Sequence, residues 1–272
     1  LEDIASQVRR DIVRMVHGAA SGHPGGSLGC ADYFTALYFE ILDHKTNFSM
    51  DGKDEDLFFL SNGHISPVWY SVLARSGYFP TEELSTFRKI DSRLQGHPTT
   101  HENLPGVRVA SGSLGQGLSV AAGAALTKKT NNDAKIVYSL HGDGELQEGQ
   151  IWEAAMYAGN NQLDNLIVFL DNNGGQSDGK VNEIMPLNPI KEKWESFGWE
   201  VTQINGHNHH EIEKSIITRK KRHNPKPLII IANTKKGYIS ENLTILDGMH
   251  GGSMTEEILD QVKKELAIGE MM

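Results

Sequence analysis

The chain has 272 residues, 38% hydrophobic and 22% charged, with 28 Gly and 9 Pro, proportions of a globular protein with room for a sizeable core. A formal charge of −9 excludes general nucleic-acid binding, because phosphate contacts need a concentrated positive field, and no apolar stretch reaches the roughly 20 residues of a membrane span. The single cysteine, Cys30, excludes an internal disulfide and a CxxC metal or redox pair, and the chain is expected in the cytoplasm.

The opening LEDIASQVRRDIVRMV predicts an amphipathic helix, not a signal peptide; the first residue is not Met, which points to a trimmed start. GSLGCADYFTALYFEIL reads as a loop entering a buried helix, with Cys30 a packed small hydrophobe and not a nucleophile. Short β-branched or aromatic runs then recur: DLFFLS (56–61), KIVYSL (135–140), NLIVFLD (165–171), EVTQI (200–204) and PLIIIAN (227–233). Between the last four lie QEGQIWEAAMYAGNN, NPIKEKWESFG and NHHEIEKSIITRKK, and LGQGLSVAAGAALTKK precedes them, all with apolar residues at helical spacing. Nearly continuous apolar strands separated by helices predict an α/β fold, a mostly parallel central sheet with helices on both faces, as one domain over 1–272.

In NGHNHH, Asn208 is expected to cap the helix that follows, in preference to a surface metal site. RKKRH (219–223) reads as the last turn of that helix, where cations suit the dipole. Residues 234 to 254 are the longest stretch without periodicity, a flap over a site or a surface excursion. Met249, Trp194 and Trp199 are read as packing residues, and TEEILDQVKKELAIGEMM as a final amphipathic helix with a frayed tail.

In a parallel sheet, ligands sit beyond the carboxyl ends of the strands, which directs attention to residues 141–149 and 171–179. HGDGELQEG crowds acids and glycines after one apolar run, and GDG alone is often only a tight turn. Asn173 stands thirty residues after Asp143, at the equivalent end of the next run. Two oxygen-donating side chains at neighbouring strand ends, followed by glycines whose carbonyls can turn inward, suit Mg²⁺ or Ca²⁺. A hard cation held by so few protein oxygens draws its remaining ligands from phosphate, so a diphosphate is the implied guest.

GDGELQEG followed by NNGGQSDG resembles the thiamine diphosphate fingerprint, and SGHPGGSLG, LSNGHISPVWY, GHPTTHENLPGV, SGSLGQGLSVAAGAAL, IWEAA, WESFGWEV and MHGG, in that order, resemble the amino-terminal half of transketolase. The resemblance implies Asp143, Asn173 and the main-chain carbonyl of Gly175 as ligands of Mg²⁺ or Ca²⁺. It implies His64, Gly112, Gly144 and Glu145 beside the diphosphate, and Leu114 near the cofactor rings. His23, His97 and His250 match histidines of the substrate channel, which bind sugar hydroxyls and move protons, work suited to an unperturbed pKa of about 6.5. Glu148 and Glu153 match acids at the boundary between the two halves of the active site. His101, His207, His209 and His210 match no functional position.

The resemblance further implies ketol transfer between sugar phosphates. A glutamate on the aminopyrimidine, an aromatic platform and phosphate-binding arginines would come from a carboxy-terminal, pyrimidine-binding subunit in an α₂β₂ assembly, because this chain ends before those regions. A natural split is expected over truncation, since the final helix closes soon after MHGG. A transketolase-like enzyme for another sugar, dihydroxyacetone synthase or a non-catalytic scaffold are the alternatives; 1-deoxyxylulose-5-phosphate synthase fits the motifs less well. Three positions depart from the pattern. Gly175 and Ser177 stand where bulkier residues are usual, which predicts a cofactor weakened by roughly 1–3 kcal/mol unless neighbours close in. His141 replaces a non-ionisable residue and is expected to be neutral, hydrogen-bonded and turned inward.

Overall fold

Four apolar runs form strands whose side chains are buried on both sides, and a fifth, EVTQI, pairs at the edge of the sheet with only Ile204 fully buried. In the computed structural model, which describes residues 1–221, 224–245 and 250–267, they are β1 (Leu57–Leu60), β2 (Val137–Gly142), β3 (Leu166–Asn172), β6 (Glu200–Asn205) and β7 (Leu228–Asn233). They make one parallel sheet in the order β1-β2-β3-β7-β6. A two-stranded hairpin, β4 (Gly175–Gln176) and β5 (Gly179–Lys180), follows β3 directly, and the single turn α7 (Val181–Ile184) follows it.

Alternate side chains of the strands feed two cores, as the period of two requires. On one face Tyr138, Leu140, Ile167, Phe169 and Ile230 pack with α1 (Glu2–Ala19), α3 (Ala31–Ala36), α4 (Ser66–Arg75), α9 (His209–Lys221) and α10 (Glu256–Leu266). On the other, Val137, Val168, Leu170, Ile229 and Ile231 pack with α5 (Gly117–Thr130), α6 (Gly149–Asn160) and α8 (Ile190–Ser196). The expected α/β architecture with helices on both faces is what forms. Trp194 and Trp199 meet edge to face at 4.8 Å in the second core, and the indole N–H of Trp199 donates to the Ala155 carbonyl at 2.8 Å, so both are packing residues as expected.

Several local expectations need correction. GGSLG is helical, in α2 (Pro24–Gly29), with Pro24 in the first turn; its fixed φ suits a helix start, and a wide turn, Leu37–Ile41, closes α3. β2 runs two residues past the expected end because main-chain pairing continues to Gly142↔Asp171 after the side chains turn polar. Arg219 does more than serve the helix dipole: it is buried and donates to the carbonyls of Asp164 and Lys226 at 2.7 Å. Arg222 and His223 lie outside the described residues, as do Leu246 to Met249 and the last five residues. Asn208 caps α9 by accepting from the Glu211 amide at 3.1 Å. The described part of 234–254 is tied down, with Ile239, Ile245 and Met254 buried in the first core. Among the described residues, no helix is long and apolar enough to cross a membrane.

Candidate active site

β2 and β3 end side by side, so the residues that follow them meet. The Asp143 amide donates to the Asp171 carbonyl at 3.1 Å, and its carboxylate accepts from the amides of Gly144 at 2.8 Å and Gly174 at 2.6 Å. Asp171, fully inside, accepts from the side chains of Thr234, Asn173 and Cys30. The amide group of Asn173 is thereby fixed: Nδ2 donates to Asp171 at 2.7 Å, and Oδ1 accepts from the Gly175 amide at 2.9 Å. Burial, and then the neighbouring Asp171, pushes the Asp143 carboxyl up to about 7; burial also raises Asp171. Two desolvated carboxylates facing one half-buried ammonium, Lys236, whose pKa burial lowers, leave a local surplus of negative charge that suits a cation.

These groups line a cavity of about 220 Å³. It collects, of the expected residues, His64, Leu114, Asp143, Gly144, Glu145, Glu148, Asn173, Gly175 and His250. His23 stands 5.2 Å from His64 and 5.3 Å from His250 between ring centroids, and His97 lies 6.0 Å from His23. Gly112, at φ 124°, passes the edge of His97 so closely that a Cβ there would meet the ring at 2.6 Å; a side chain is excluded both by space and by backbone. Burial first, and mutual positive charge second, brings His23 down to about 4 and His64 to about 3, while burial lowers His97 and His250. The channel imidazoles are therefore neutral near pH 7, each with one N–H to donate and one lone pair to accept, rather than half-protonated at the unperturbed value.

Two expected residues sit differently. Glu145 touches the cavity, but its carboxylate faces inward: it accepts from Ser61 Oγ, from the Gly115 amide at 2.9 Å and from the Gly142 amide at 3.2 Å, with His141 Nδ1 at 3.4 Å. It ties three segments together. Glu153 is exposed on α6 and does not line the cavity. His141 is buried and turned inward as expected, its Nε2 at 3.0 Å from Ser139 Oγ.

Lys236, Asp171 and Asn62 also line the cavity, and no sequence motif named above singles them out. A third strand end supplied the signal for Lys236, since β7 stops three residues before it. A Cβ at Gly175 would lie 2.9 Å from Lys236 Nζ, so the lysine side chain occupies space that a bulkier residue at 175 would claim.

Among the described residues, no three His, Cys, Asp or Glu side chains gather as a metal cluster. A carboxylate, a carboxamide and a main-chain carbonyl instead fit a hard cation whose other ligands come from a phosphate. Among the described residues, Asn62 Oδ1 and His23 Nδ1 are buried without a partner, polar atoms left for a guest to satisfy.

A family model described as "Transketolase, thiamine diphosphate binding domain" matches residues 2–271. The 6-deoxy-6-sulfo-D-fructose transketolase subunit SqwG of Clostridium sp. (strain MSTE9) is 38% identical over 266 residues, covering 98% of this chain and 96% of that protein. One of the subunits of the apulose-4-phosphate transketolase of Actinobacillus succinogenes is 38% identical over 238 residues, covering 87% of this chain and 85% of that protein. Among solved structures, transketolase from Leishmania mexicana superposes with a TM-score of 0.89 at 30% identity, and that from Campylobacter jejuni with 0.88 at 34%. This chain is covered to 98% in both, yet spans only 41% and 43% of their lengths. Sequence and fold agree along the whole chain, which belongs to the transketolase family in the position of its amino-terminal, thiamine diphosphate binding subunit.

Proposed function

We propose that this chain is the diphosphate-binding subunit of a two-component cytoplasmic transketolase, moving a two-carbon ketol unit from a ketose phosphate to an aldose phosphate. The observation that carries the reading is the meeting of Asp143 and Asn173 at adjacent strand ends in a cavity rimmed by neutral histidines. In this reading Asp143, Asn173 and the Gly175 carbonyl hold Mg²⁺ or Ca²⁺. His64, Gly112, Gly144 and Lys236 border the diphosphate, and Leu114 packs by the rings. Thiamine diphosphate, when bound, supplies the nucleophilic carbon and the electron sink.

The chain's own share is positioning and proton movement. Neutral His23 and His97 donate to sugar oxygens through N–H and accept protons from sugar hydroxyls through the opposite nitrogen, while His250, whose Nδ1 lone pair faces Lys236, donates through Nε2–H. Lys236 Nζ, 3.4 Å from His250 Nδ1, supplies positive charge on the side where phosphate oxygens would lie. Glu148 at the cavity rim and Glu153 on α6 face the complementary subunit, which contributes the pyrimidine-binding half of an α₂β₂ assembly, and the described part of 234–254 lies beside the site as an anchored flap. The sugars named for the sulfofructose and apulose relatives favour a second reading on the same machinery, in which the donor is a sulfo-sugar or a branched sugar phosphate.

The test is ketol transfer from xylulose 5-phosphate to ribose 5-phosphate with Mg²⁺ and thiamine diphosphate, using this chain alone and then mixed with a pyrimidine-domain subunit. Activity in the mixture only is expected. Turnover by this chain alone would overturn the two-component reading, and inactivity of a demonstrated complex on phosphorylated, sulfonated and branched ketoses would leave a scaffold.

A further inference from the structure

The chain between β7 and the described end of the flap carries Lys236 into the cofactor cavity, and its two neighbours are held from behind. Lys235 donates its amide N–H to His207 Nε2 at 2.9 Å. Tyr238 stacks on the His207 ring, 3.7 Å between centroids and 19° between planes, and its carbonyl accepts from Arg9 Nε at 3.1 Å. Gly237 donates its amide to the Gly25 carbonyl at 2.8 Å. Lys235 lines a separate, solvent-open cavity of about 1230 Å³, whereas Lys236 lines the 220 Å³ one.

His207 is itself held by a buried carboxylate. Asp32 Oδ2 lies 2.9 Å from His207 Nδ1 and accepts from Arg9 Nη2 at 2.6 Å, and its Oδ1 is 3.2 Å from His209 Nε2. A carboxylate accepts only, so Nδ1 carries the ring proton and Nε2 keeps the lone pair that Lys235 requires. The tautomer follows from the network, and the network fixes which way the ring can serve the main chain.

We infer that the Asp32–His207 pair positions Lys236 in the cofactor cavity by holding the Lys235 amide; this rests on the reading of that cavity as the thiamine diphosphate site. Neither residue touches the cavity, and both act through the backbone. Without the Lys235 tether, the segment loses the main-chain hold next to Lys236, and the ammonium samples a wider range of positions at the cost of its contact with the guest.

Three variants separate positioning from general support. His207→Asn keeps a donor at the place of Nδ1 and loses the acceptor for Lys235; His207→Gln keeps an acceptor at the place of Nε2; Lys236→Ala removes the side chain being positioned. The dissociation constant for thiamine diphosphate with saturating Mg²⁺ is measured by calorimetry on the assembled complex. Amide exchange at Lys235 and the rate of Lys236 acylation by acetic anhydride are followed by mass spectrometry on the chain. His207→Asn is expected to weaken the cofactor about threefold to tenfold, the range of one lost buried hydrogen bond, with faster Lys235 exchange and faster Lys236 acylation. His207→Gln should restore most of each. In the Lys236→Ala background, His207→Asn should add nothing, the coupling expected of residues acting as one unit.

Additive losses in that cycle, or equal losses in the Asn and Gln variants, would overturn the inference. Failure of the unsubstituted complex to bind thiamine diphosphate would instead remove the proposed function. In that event, unchanged Lys235 exchange and Lys236 acylation in His207→Asn would overturn the tether separately, and faster rates in both would uphold it.

Discussion

His64 and His250 stand 4.9 Å apart between ring centroids, with His23 within 5.3 Å of both, and their burial, then their crowding, sets a pH dependence. Each folded-state pKa lies below the unperturbed value, so between about 6.5 and about 3 the unfolded chain takes up protons that the folded chain refuses. Stability contributed by the neutral histidines is thus present above about 6.5 and lost as pH falls. His64, the most enclosed, contributes at most about 1.4 kcal/mol per pH unit, and the more open rings contribute less than that each because water screens them. Urea titrations at pH 7, 6 and 5 should therefore show the parent losing stability relative to His64→Gln as pH falls, while the raised Asp143 carboxyl works in the opposite sense in both proteins; identical pH dependences of the two proteins would refute the assignment. At this scale the sequence was informative where a residue type announces its chemistry. Asp143, Asn173 and the histidines belong to that class. Lys236 does not, because nothing in TKKGY distinguishes an ammonium pointing inward from one in solvent. Gly175 reads in the sequence as a loss of packing, and the compensating side chain lies sixty-one positions away, at Lys236.

Elements were legible to within about two residues wherever burial on both faces made the apolar run continuous, as in β3 and β7. What escaped was the knot that joins them. Glu145 follows β2, yet its partners Ser61 and Gly115 stand 84 and 30 positions away, and no local pattern encodes such a meeting. The Ser61 hydroxyl also accepts from the Gly117 amide at 3.1 Å, so the end of β1, the start of α5 and the end of β2 share one buried carboxylate. Burial raises its pKa, but His141, Ser61 and the Gly115 amide outweigh this and hold Glu145 below the usual carboxylate range. Glu145→Ala leaves the amides of Gly115 and Gly142 without acceptors, at about 1–3 kcal/mol each, and should lower the melting temperature strongly; Glu145→Gln, whose carbonyl still accepts from Gly115, should cost less. If Glu145 served mainly the diphosphate, the alanine variant would melt normally and lose only cofactor affinity.

At the scale of the molecule, the α5–α6 side is where the proposal of a second subunit can be tested. Val120 on α5 and Met156 and Tyr157 on α6 are exposed large apolar side chains, Met156 at 55%, beside Glu153, the acid that the family resemblance places at a subunit boundary. Scattered exposed hydrophobes are ordinary, but a set on two adjacent packed helices leading to the cavity rim at Glu148 is a surface suited to burial against a partner. A charge placed at the centre of such a surface removes association without disturbing the core. Met156→Asp with Tyr157→Asp should therefore leave the melting temperature of the isolated chain within a few degrees of the parent and abolish co-elution with the complementary subunit. Ile184 and Met185, exposed after the β4–β5 hairpin, provide the control, because the same charge substitution there reports on a different face. Loss of assembly from the α6 pair alone would assign the boundary to α5–α6, and with it the role of Glu153; loss from the hairpin pair alone would move the boundary to the other side of Asn173 and make Glu153 a solvated helix residue.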